Sequence, residues 1–161
     1  MFKVAWLVLG SASPHLLKQS SEMLAGRIAV HELSGFSVDE VGPQRLKQLW
    51  LRGGFPLAFT AKKLVDSARW RRDFIRTFLE RDLPQLDVRT PATALRRFWS
   101  MLAHVHAQTL NWSELGRSMG VADTTVRGYL DVLEATLVVQ TLKPWHENIS
   151  KRQVKSPKVF V

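Results

Sequence analysis

The sequence predicts a mainly α-helical fold with small β elements, of the α+β class. Three observations predict it: a short apolar run near the start, several segments with apolar residues at helical spacing, and two short β-like segments near the end. The chain has 161 residues, enough for one average domain or two small ones. Its 45% hydrophobic and 23% charged residues are typical of a globular protein and exclude a disordered chain.

The charge balance and the cysteine count narrow the function classes. The chain has 23 Lys and Arg against 14 Asp and Glu, a net charge of +9, and such a basic surface favours nucleic acid, nucleotide phosphates or acidic lipid. The absence of cysteine excludes disulfides, thiolate metal sites and a cysteine nucleophile, and it suits a cytoplasmic location. Because no apolar run approaches the ~20 residues of a membrane span, we expect no membrane partner.

Residues 1–41 are predicted to be the truncated end of an α/β core. Residues 4–9 form a continuous apolar run, as in strands that are buried on both faces of a parallel sheet. A helix over about 14–24 and a second strand over 27–33 are predicted to follow. Two strands and one helix do not complete a doubly wound sheet. We therefore expect this chain to be the rear part of a longer protein.

Residues 42–161 are predicted to form a helical domain. A short helix over 44–52 is broken by two glycines. A long helix over about 65–82 carries its apolar side chains on one face, and Pro84 is expected to follow its end. The next helix begins at Pro91, because proline is favoured in the first turn.

The clearest local signals predict two short helices joined by a tight turn. Asn111 followed three residues later by Glu114 is the signature of a helix N-terminus, and Gly120 ends that helix. Asp123 is expected to cap the second helix. Gly116 has no side chain, so it is expected to let the two helices cross closely.

Two β-like segments complete the pattern of residues 91–161. A run over 137–142 follows the second helix of the pair, and a final extended segment covers 158–161. The order helix, helix, turn, helix and strand pair is that of a winged helix-turn-helix. We therefore predict a winged-helix region over residues 91–161.

Two groups of residues are candidates for DNA binding. The second helix of the pair would present Thr124, Thr125 and Arg127 outward, where they could contact bases or phosphates. Since the charges within residues 112–130 cancel, a role in packing or protein contact is the alternative. The predicted wing is strongly basic and could contact phosphates without reading the base sequence. Its basic residues are Lys143, Lys151, Arg152, Lys155 and Lys158.

The sequence offers few means of building a catalytic or metal site. His104 and His106 are spaced i, i+2, which would point them apart on a helix. The chain contains no His-Glu-x-x-His, no Gly-x-Ser-x-Gly and no Gly-x4-Gly-Lys-[Ser/Thr] motif. We therefore expect no catalytic residue, metal or cofactor bound by this chain alone.

Several short segments match one known protein family in the right order. The segments over 9–14, 24–27 and 32–37 resemble the end of the ATPase core of prokaryotic AAA-type P-loop ATPases. Three further segments resemble the domain of unknown function that is fused behind that core. These are Leu-Arg-Gly-Gly-Phe-Pro at 51–56, Phe-Leu-Glu-Arg-Asp-Leu at 78–83 and Lys-Ser-Pro-Lys-Val-Phe at 155–160.

The resemblance carries expectations about nucleotide chemistry. The full-length family binds ATP and Mg through a Walker A loop and a Walker B strand that lie upstream of the strand matching residues 4–9. Ser11 would correspond to a position that senses the γ-phosphate, and Arg27 to an arginine that contacts the nucleotide. Because Met1 comes after both Walker motifs, the resemblance implies a catalytically incomplete region without ATPase activity of its own.

Two functions remain open from the sequence. The first is the C-terminal region of an AAA-type ATPase, whose winged helix binds DNA, a partner protein or a second copy of the chain. The second is a stand-alone winged-helix DNA-binding regulator, in which the basic wing carries the function.

Overall fold

The computed structural model describes residues 29, 31, 33–86, 88–144 and 156–161. These residues form helices and one two-stranded antiparallel sheet, which confirms the mainly α, α+β class. Their contacts divide the chain after residue 92 into two compact units, here called the central unit (residues 26–92) and the C-terminal unit (from residue 93). The predicted strand over 4–9 and the helix over 14–24 lie outside the described residues, as do Ser11 and Arg27.

The second predicted strand, over 27–33, is wrong at the three of its residues that the structure describes. Ala29, His31 and Leu33 have no regular secondary structure and are exposed, Leu33 to 85%. An apolar run becomes a strand only where a neighbouring strand takes its backbone hydrogen bonds and covers its side chains. The sequence pattern alone does not supply that neighbour.

The central unit begins with four short helical segments. Ser37 opens the first with a capping box: its Oγ accepts from the Glu40 N–H (3.3 Å), and its own N–H donates to Glu40 Oε2 (2.8 Å). This helix was not predicted from the sequence, and residues 44–52 were predicted to form a single helix. The segments are α1 (Val38–Val41), a 3-10 turn (Pro43–Arg45), α2 (Leu46–Arg52) and α3 (Pro56–Phe59).

The long helix of the central unit runs further than predicted. It consists of α4 (Leu64–Thr77), a π-helical segment (Phe78–Asp82) and α5 (Leu83–Gln85). Pro84 lies within its last turn, so the prediction that Pro84 follows the helix end is wrong. Pro84 has no N–H for the carbonyl of Glu80 four residues before it, and the helix passes this point in the wider π geometry.

A column of aromatic rings follows the predicted apolar face of the long helix. The rings of Trp70 and Phe74 are stacked (5.3 Å between centroids, 10° between planes), and so are those of Phe74 and Phe78 (5.7 Å, 15°). Phe55 packs against Trp70 and Phe74 at 5.6 and 4.8 Å. The i, i+4, i+8 spacing thus places the three rings on one side of the helix, as the periodicity predicts.

In the central unit, the backbone at Gly35 and Phe36 lies in direct contact with the backbone at Gly54. The Phe36 N–H donates to the Gly54 carbonyl (2.8 Å), and a Cβ added at Gly54 would lie 2.9 Å from both N and O of Phe36. A Cβ at Gly35 would meet the Gly54 backbone at 2.7 Å. Only glycine fits such an approach, so the Gly-Gly-Phe-Pro segment has an architectural role.

Arg52, which precedes those glycines, also holds the central unit together. Its Nη1 donates to the carbonyls of Phe59 (3.0 Å) and Ala61, which fixes the end of α3 against α2. Arg71 in turn donates to the Arg52 carbonyl (2.8 Å) and to the buried Ser67 hydroxyl (3.1 Å). Both guanidinium groups therefore satisfy backbone carbonyls at helix ends.

The described residues of the C-terminal unit form three helices followed by two short strands. The helix predicted to begin at Pro91 is confirmed. The strand predicted over 137–142 is confirmed only at 140–142, because Leu137 has a positive φ of 60° and its N–H closes the preceding helix on the Glu134 carbonyl (3.0 Å). The elements are α6 (Ala92–His104), α7 (Trp112–Met119), α8 (Asp123–Ala135), β1 (Gln140–Leu142) and β2 (Lys158–Phe160).

Strand β2 is bonded along both edges. It pairs antiparallel with β1, with Thr141 opposite Val159 and Leu142 opposite Lys158. On its other edge Lys158 bridges to Thr109, in the segment between α6 and α7. The Leu110 N–H donates to the Pro157 carbonyl there (2.9 Å). The α6–α7 connection is thus tied to the sheet.

The core of the C-terminal unit lies among its three helices and the sheet. The sequence places apolar side chains at helical spacing in α6 and α8, and most of them are buried, which confirms the periodicity of both helices. Trp99 and Val105, which continue the apolar stripe of the first, are half-buried. The side chains below 6% exposure are Leu95, Phe98, Leu102, Leu110, Leu115, Val126, Leu130, Leu133, Val139 and Val159.

The turn between α7 and α8 brings the two helices close together, as predicted from Gly116. Gly120 ends α7 in the left-handed conformation, with φ 73°. A Cβ at Gly116 would lie 2.9 Å from the Val121 carbonyl oxygen and 2.9 Å from Asp123 Oδ1. The start of α8 therefore packs directly onto the Gly116 backbone.

We predict that Gly116→Ala destabilises the protein by about 1–3 kcal/mol, because the new methyl overlaps a backbone carbonyl. The matched control is Gly128→Ala in α8, where nothing lies within 4 Å of the new Cβ. There the removal of helix-interior glycine is expected to stabilise by about 0.5–1 kcal/mol. Urea unfolding of both variants measures the two changes. A Gly116→Ala protein as stable as wild type would contradict the close crossing.

Candidate nucleic-acid interface

The start of α7 is capped as predicted, and the start of α8 is not. The Asn111 side chain accepts from the Glu114 N–H (3.2 Å). Asp123 is the first residue of α8 rather than its cap, a position that Ala122 takes without a side-chain bond. The Asp123 carboxylate turns instead to α7, where the Ser113 hydroxyl donates to its Oδ2 (3.0 Å). This bond replaces local capping with a contact between helices.

Arg127 of α8 and Trp112 of α7 make a second side-chain contact between the two helices. The Arg127 guanidinium carbon lies 4.2 Å from the centre of the Trp112 ring. Trp112 is half-buried at the start of α7, whereas Arg127 is exposed one turn into α8. This contact is a cation–π interaction rather than a hydrogen bond, so it does not consume the N–H donors of Arg127.

The remaining predicted α8 residues also lie on its surface. Thr124 and Thr125 are exposed in the first turn, next to the half-buried Asp123. Arg127 and Gly128 follow on the exposed surface of the next turn. The buried side of the helix is formed by Val126, Leu130 and Leu133. The outward face of α8 therefore combines two hydroxyl groups and one guanidinium.

Both ends of the predicted wing lie at one end of the sheet. Lys143 directly follows β1 and Lys158 begins β2, and both are exposed. Because Leu142 is the register partner of Lys158, the two lysines lie at neighbouring positions. The connection between the strands therefore leaves and returns at this end. Lys151, Arg152 and Lys155, which belong to it, lie outside the described residues.

An open cleft joins the helix pair to the returning end of that connection. It has a volume of about 460 Å³ and is lined by side chains at the starts of α7 and α8. Ser156, two residues before β2, closes its other side. Arg127 and Ser156, at the end of the basic connection, therefore border the same cleft. The lining residues are Thr109, Leu110, Asn111, Trp112, Ser113, Asp123, Arg127 and Ser156.

The connection between β1 and β2 is far more basic than the helix pair α7 and α8. Residues 112–130 hold two arginines and two acidic residues, whereas residues 143–158 hold five Lys or Arg and one Glu. Of these two parts of the candidate interface, the connection would thus attract a polyanion more strongly.

The two histidines do not share a helix, because α6 ends at His104 and His106 lies in the turn that follows, so their predicted divergence on one helix does not apply. His104 is exposed at the helix end, whereas His106 Nδ1 accepts from the Val161 N–H (3.1 Å) and its ring meets Phe160 edge-on at 5.7 Å. Within the described ranges, no three His, Cys, Asp or Glu side chains come together as a metal site would require. Nor does any helix in these ranges have the length and apolar character needed to cross a membrane.

A family model matches residues 43–161, which include the cleft and both strands. Its description is "Domain of unknown function (DUF8612)". The chain belongs to this family. The match covers most of the central unit and all described residues of the C-terminal unit.

Two curated mycobacterial proteins are similar to the chain. They are Uncharacterized protein Mb2031c of Mycobacterium bovis and Uncharacterized protein Rv2008c of Mycobacterium tuberculosis, each 55% identical over 156 residues. The match covers 97% of this chain but 35% of each relative, so the chain spans about a third of their length. No solved structure matches the chain.

Proposed function

We propose that the C-terminal unit is a winged-helix module that binds duplex DNA, within a protein of the AAA-type P-loop ATPase kind. The arrangement around β2 is the observation that supports the winged-helix module. Helices α6, α7 and α8 precede two antiparallel strands, Thr109 adds a bridge between α6 and α7, and a basic connection links the strands. This is the element order of a winged helix.

In this proposal the helix pair and the wing have different tasks. Helix α8 enters the major groove with Thr124, Thr125 and Arg127 on its outward face. The basic connection contacts phosphates, which supplies most of the affinity and makes it depend on salt. The neutral charge of residues 112–130 fits this division, since phosphate contacts position the module and base contacts give sequence preference.

We predict that Lys143→Ala/Lys158→Ala weakens DNA binding and its salt dependence. If each lysine neutralises one phosphate, the slope of log K against log salt falls by about 1.8. The measurement is a salt titration of binding to a labelled duplex. Adding Lys151→Ala, Arg152→Ala and Lys155→Ala is expected to lower the slope further.

The matched control removes two positive charges from the central unit. Lys62 and Lys63 are both exposed, so Lys62→Ala/Lys63→Ala changes the net charge by the same amount. It is expected to leave the slope within experimental error of wild type. Equal slopes for wild type and the wing variant would contradict DNA binding through the wing and favour a protein-interaction role.

The ATPase part of the proposal is supported by the segments that resemble the core of AAA-type enzymes. Residues 9–14 and 24–27 carry that likeness, with Ser11 and Arg27 at nucleotide-sensing positions. Each mycobacterial relative has 65% of its length outside the match, which is ample for a nucleotide-binding core.

We predict that the full-length M. tuberculosis relative contains a phosphate loop and hydrolyses ATP in the presence of Mg. The phosphate-loop Lys→Ala variant should lose hydrolysis, because this lysine contacts the β- and γ-phosphates. The 161-residue chain should show neither ATP binding by calorimetry nor turnover. A relative without a phosphate loop would favour the stand-alone DNA-binding regulator. Turnover by the short chain that depends on Ser11 or Arg27 would contradict the proposal.

A second proposal concerns the central unit, which exposes an unusual amount of apolar surface. Trp50 is 81% exposed, Leu57 65%, Val65 58% and Leu46 50%, all within α2, α3 and the start of α4. Exposed apolar side chains in such density mark protein-contact surfaces. We propose that this surface contacts a second copy of the chain.

We predict that the chain self-associates and that Leu46→Ser/Leu57→Ser shifts it to monomer, because burial of each side chain favours association. Light scattering after gel filtration measures the mass. The matched control is Leu142→Ser/Val161→Ser in the C-terminal unit, where the two side chains are 58% and 43% exposed. The proposal is refuted if wild type remains monomeric, or if the control dissociates it equally.

A further inference from the structure

We infer that Arg127, held in place by Trp112, reads a guanine in the major groove of duplex DNA. The inference rests on the proposed DNA-binding function and adds to it the base that α8 recognises. The inference starts from the cation–π contact between the two residues. The Arg127 guanidinium carbon lies 4.2 Å from the Trp112 ring centre, while Arg127 remains exposed.

The charges around Arg127 favour a base edge over a phosphate as its partner. Asp123 and Asp131 lie four residues before and after Arg127, so their carboxylates lie one helical turn away on either side. Both repel a phosphate that approaches this face. The five basic residues of the connection offer phosphates a far better site. A base edge carries no net charge, so this repulsion is much weaker.

The geometry of the guanidinium selects among the bases. Guanine presents two acceptors side by side in the major groove, N7 and O6, and a planar guanidinium can donate to both at once. Adenine and cytosine each place an amino donor at the groove edge, which opposes an arginine donor. Lysine lacks the planar fork and would make a single, undirected contact.

Trp112 acts as a positioning residue. An exposed arginine loses rotamer entropy when it is fixed, which weakens any contact it makes. The ring of Trp112 restricts the guanidinium before DNA arrives, because Trp112 is anchored half-buried at the start of α7. The close crossing of α7 and α8 at Gly116 keeps ring and guanidinium in register.

The test begins with selection of duplexes from a randomised pool by the wild-type chain, followed by Kd measurement on a selected duplex. We expect one position to require guanine. Replacing that G·C pair should weaken wild-type binding about 5- to 150-fold. Arg127→Ala should bind the original and replaced duplexes alike, and Arg127→Lys, which can still donate to guanine but lacks the planar fork, should keep only a weakened preference. Lys143→Ala/Lys158→Ala should weaken binding to both while keeping the preference.

Two Trp112 variants separate positioning from folding. Trp112→Phe keeps an aromatic face and should retain part of the guanine preference, whereas Trp112→Leu keeps apolar bulk and should lose most of it. Circular dichroism and urea unfolding check that both are folded. If Trp112→Leu unfolds the chain, the Arg127→Ala result alone decides the guanine contact.

The outcomes distinguish the inference from the function on which it rests. If wild type binds no duplex at all, the proposed function and the inference both fail. If it binds duplex DNA and Arg127→Ala leaves the base preference unchanged, the inference is overturned while DNA binding stands. If Trp112→Leu retains the full preference, the positioning role of Trp112 is refuted.

Discussion

The contact between the α7 backbone at Gly116 and the start of α8 is the constraint on which the candidate interface depends. It places the Val121 carbonyl and the Asp123 carboxylate within reach of α7, so Ser113 can bond Asp123 and Trp112 can lie against Arg127. A side chain at residue 116 would push the helices apart and separate both pairs. A single small residue thereby governs the geometry of the outward face of α8.

The segments that carry the family resemblance have architectural tasks in the central unit. Gly54 lets the chain cross the backbone of Phe36, and Arg52 bonds the carbonyls at the end of α3. The segment over 78–83 includes the π turn through which the long helix reaches Pro84. Short sequence motifs can thus identify a fold whose chemistry they do not supply.

The two units expose different kinds of surface, which suggests a division of tasks. The C-terminal unit combines a neutral helix pair with a basic connection at one end of its sheet. The central unit presents large apolar side chains from three consecutive helices. Polyanions are attracted by the first kind of surface, whereas protein partners bury the second. We propose DNA binding for the first surface and self-association for the second.

The sequence by itself determined the features that depend on neighbouring residues. Periodicity predicted the buried faces of α6 and α8, and the capping residues Asn111 and Gly120 predicted the two ends of α7. These signals act within one or two helical turns. Only the tertiary structure decided that Asp123 bonds Ser113 and that Arg127 stacks on Trp112. Those partners are ten and fifteen residues apart on different helices, and their meeting depends on how the helices cross. Likewise, a strand forms only where another strand pairs with it, which β1 and β2 achieve and the described residues Ala29, His31 and Leu33 do not.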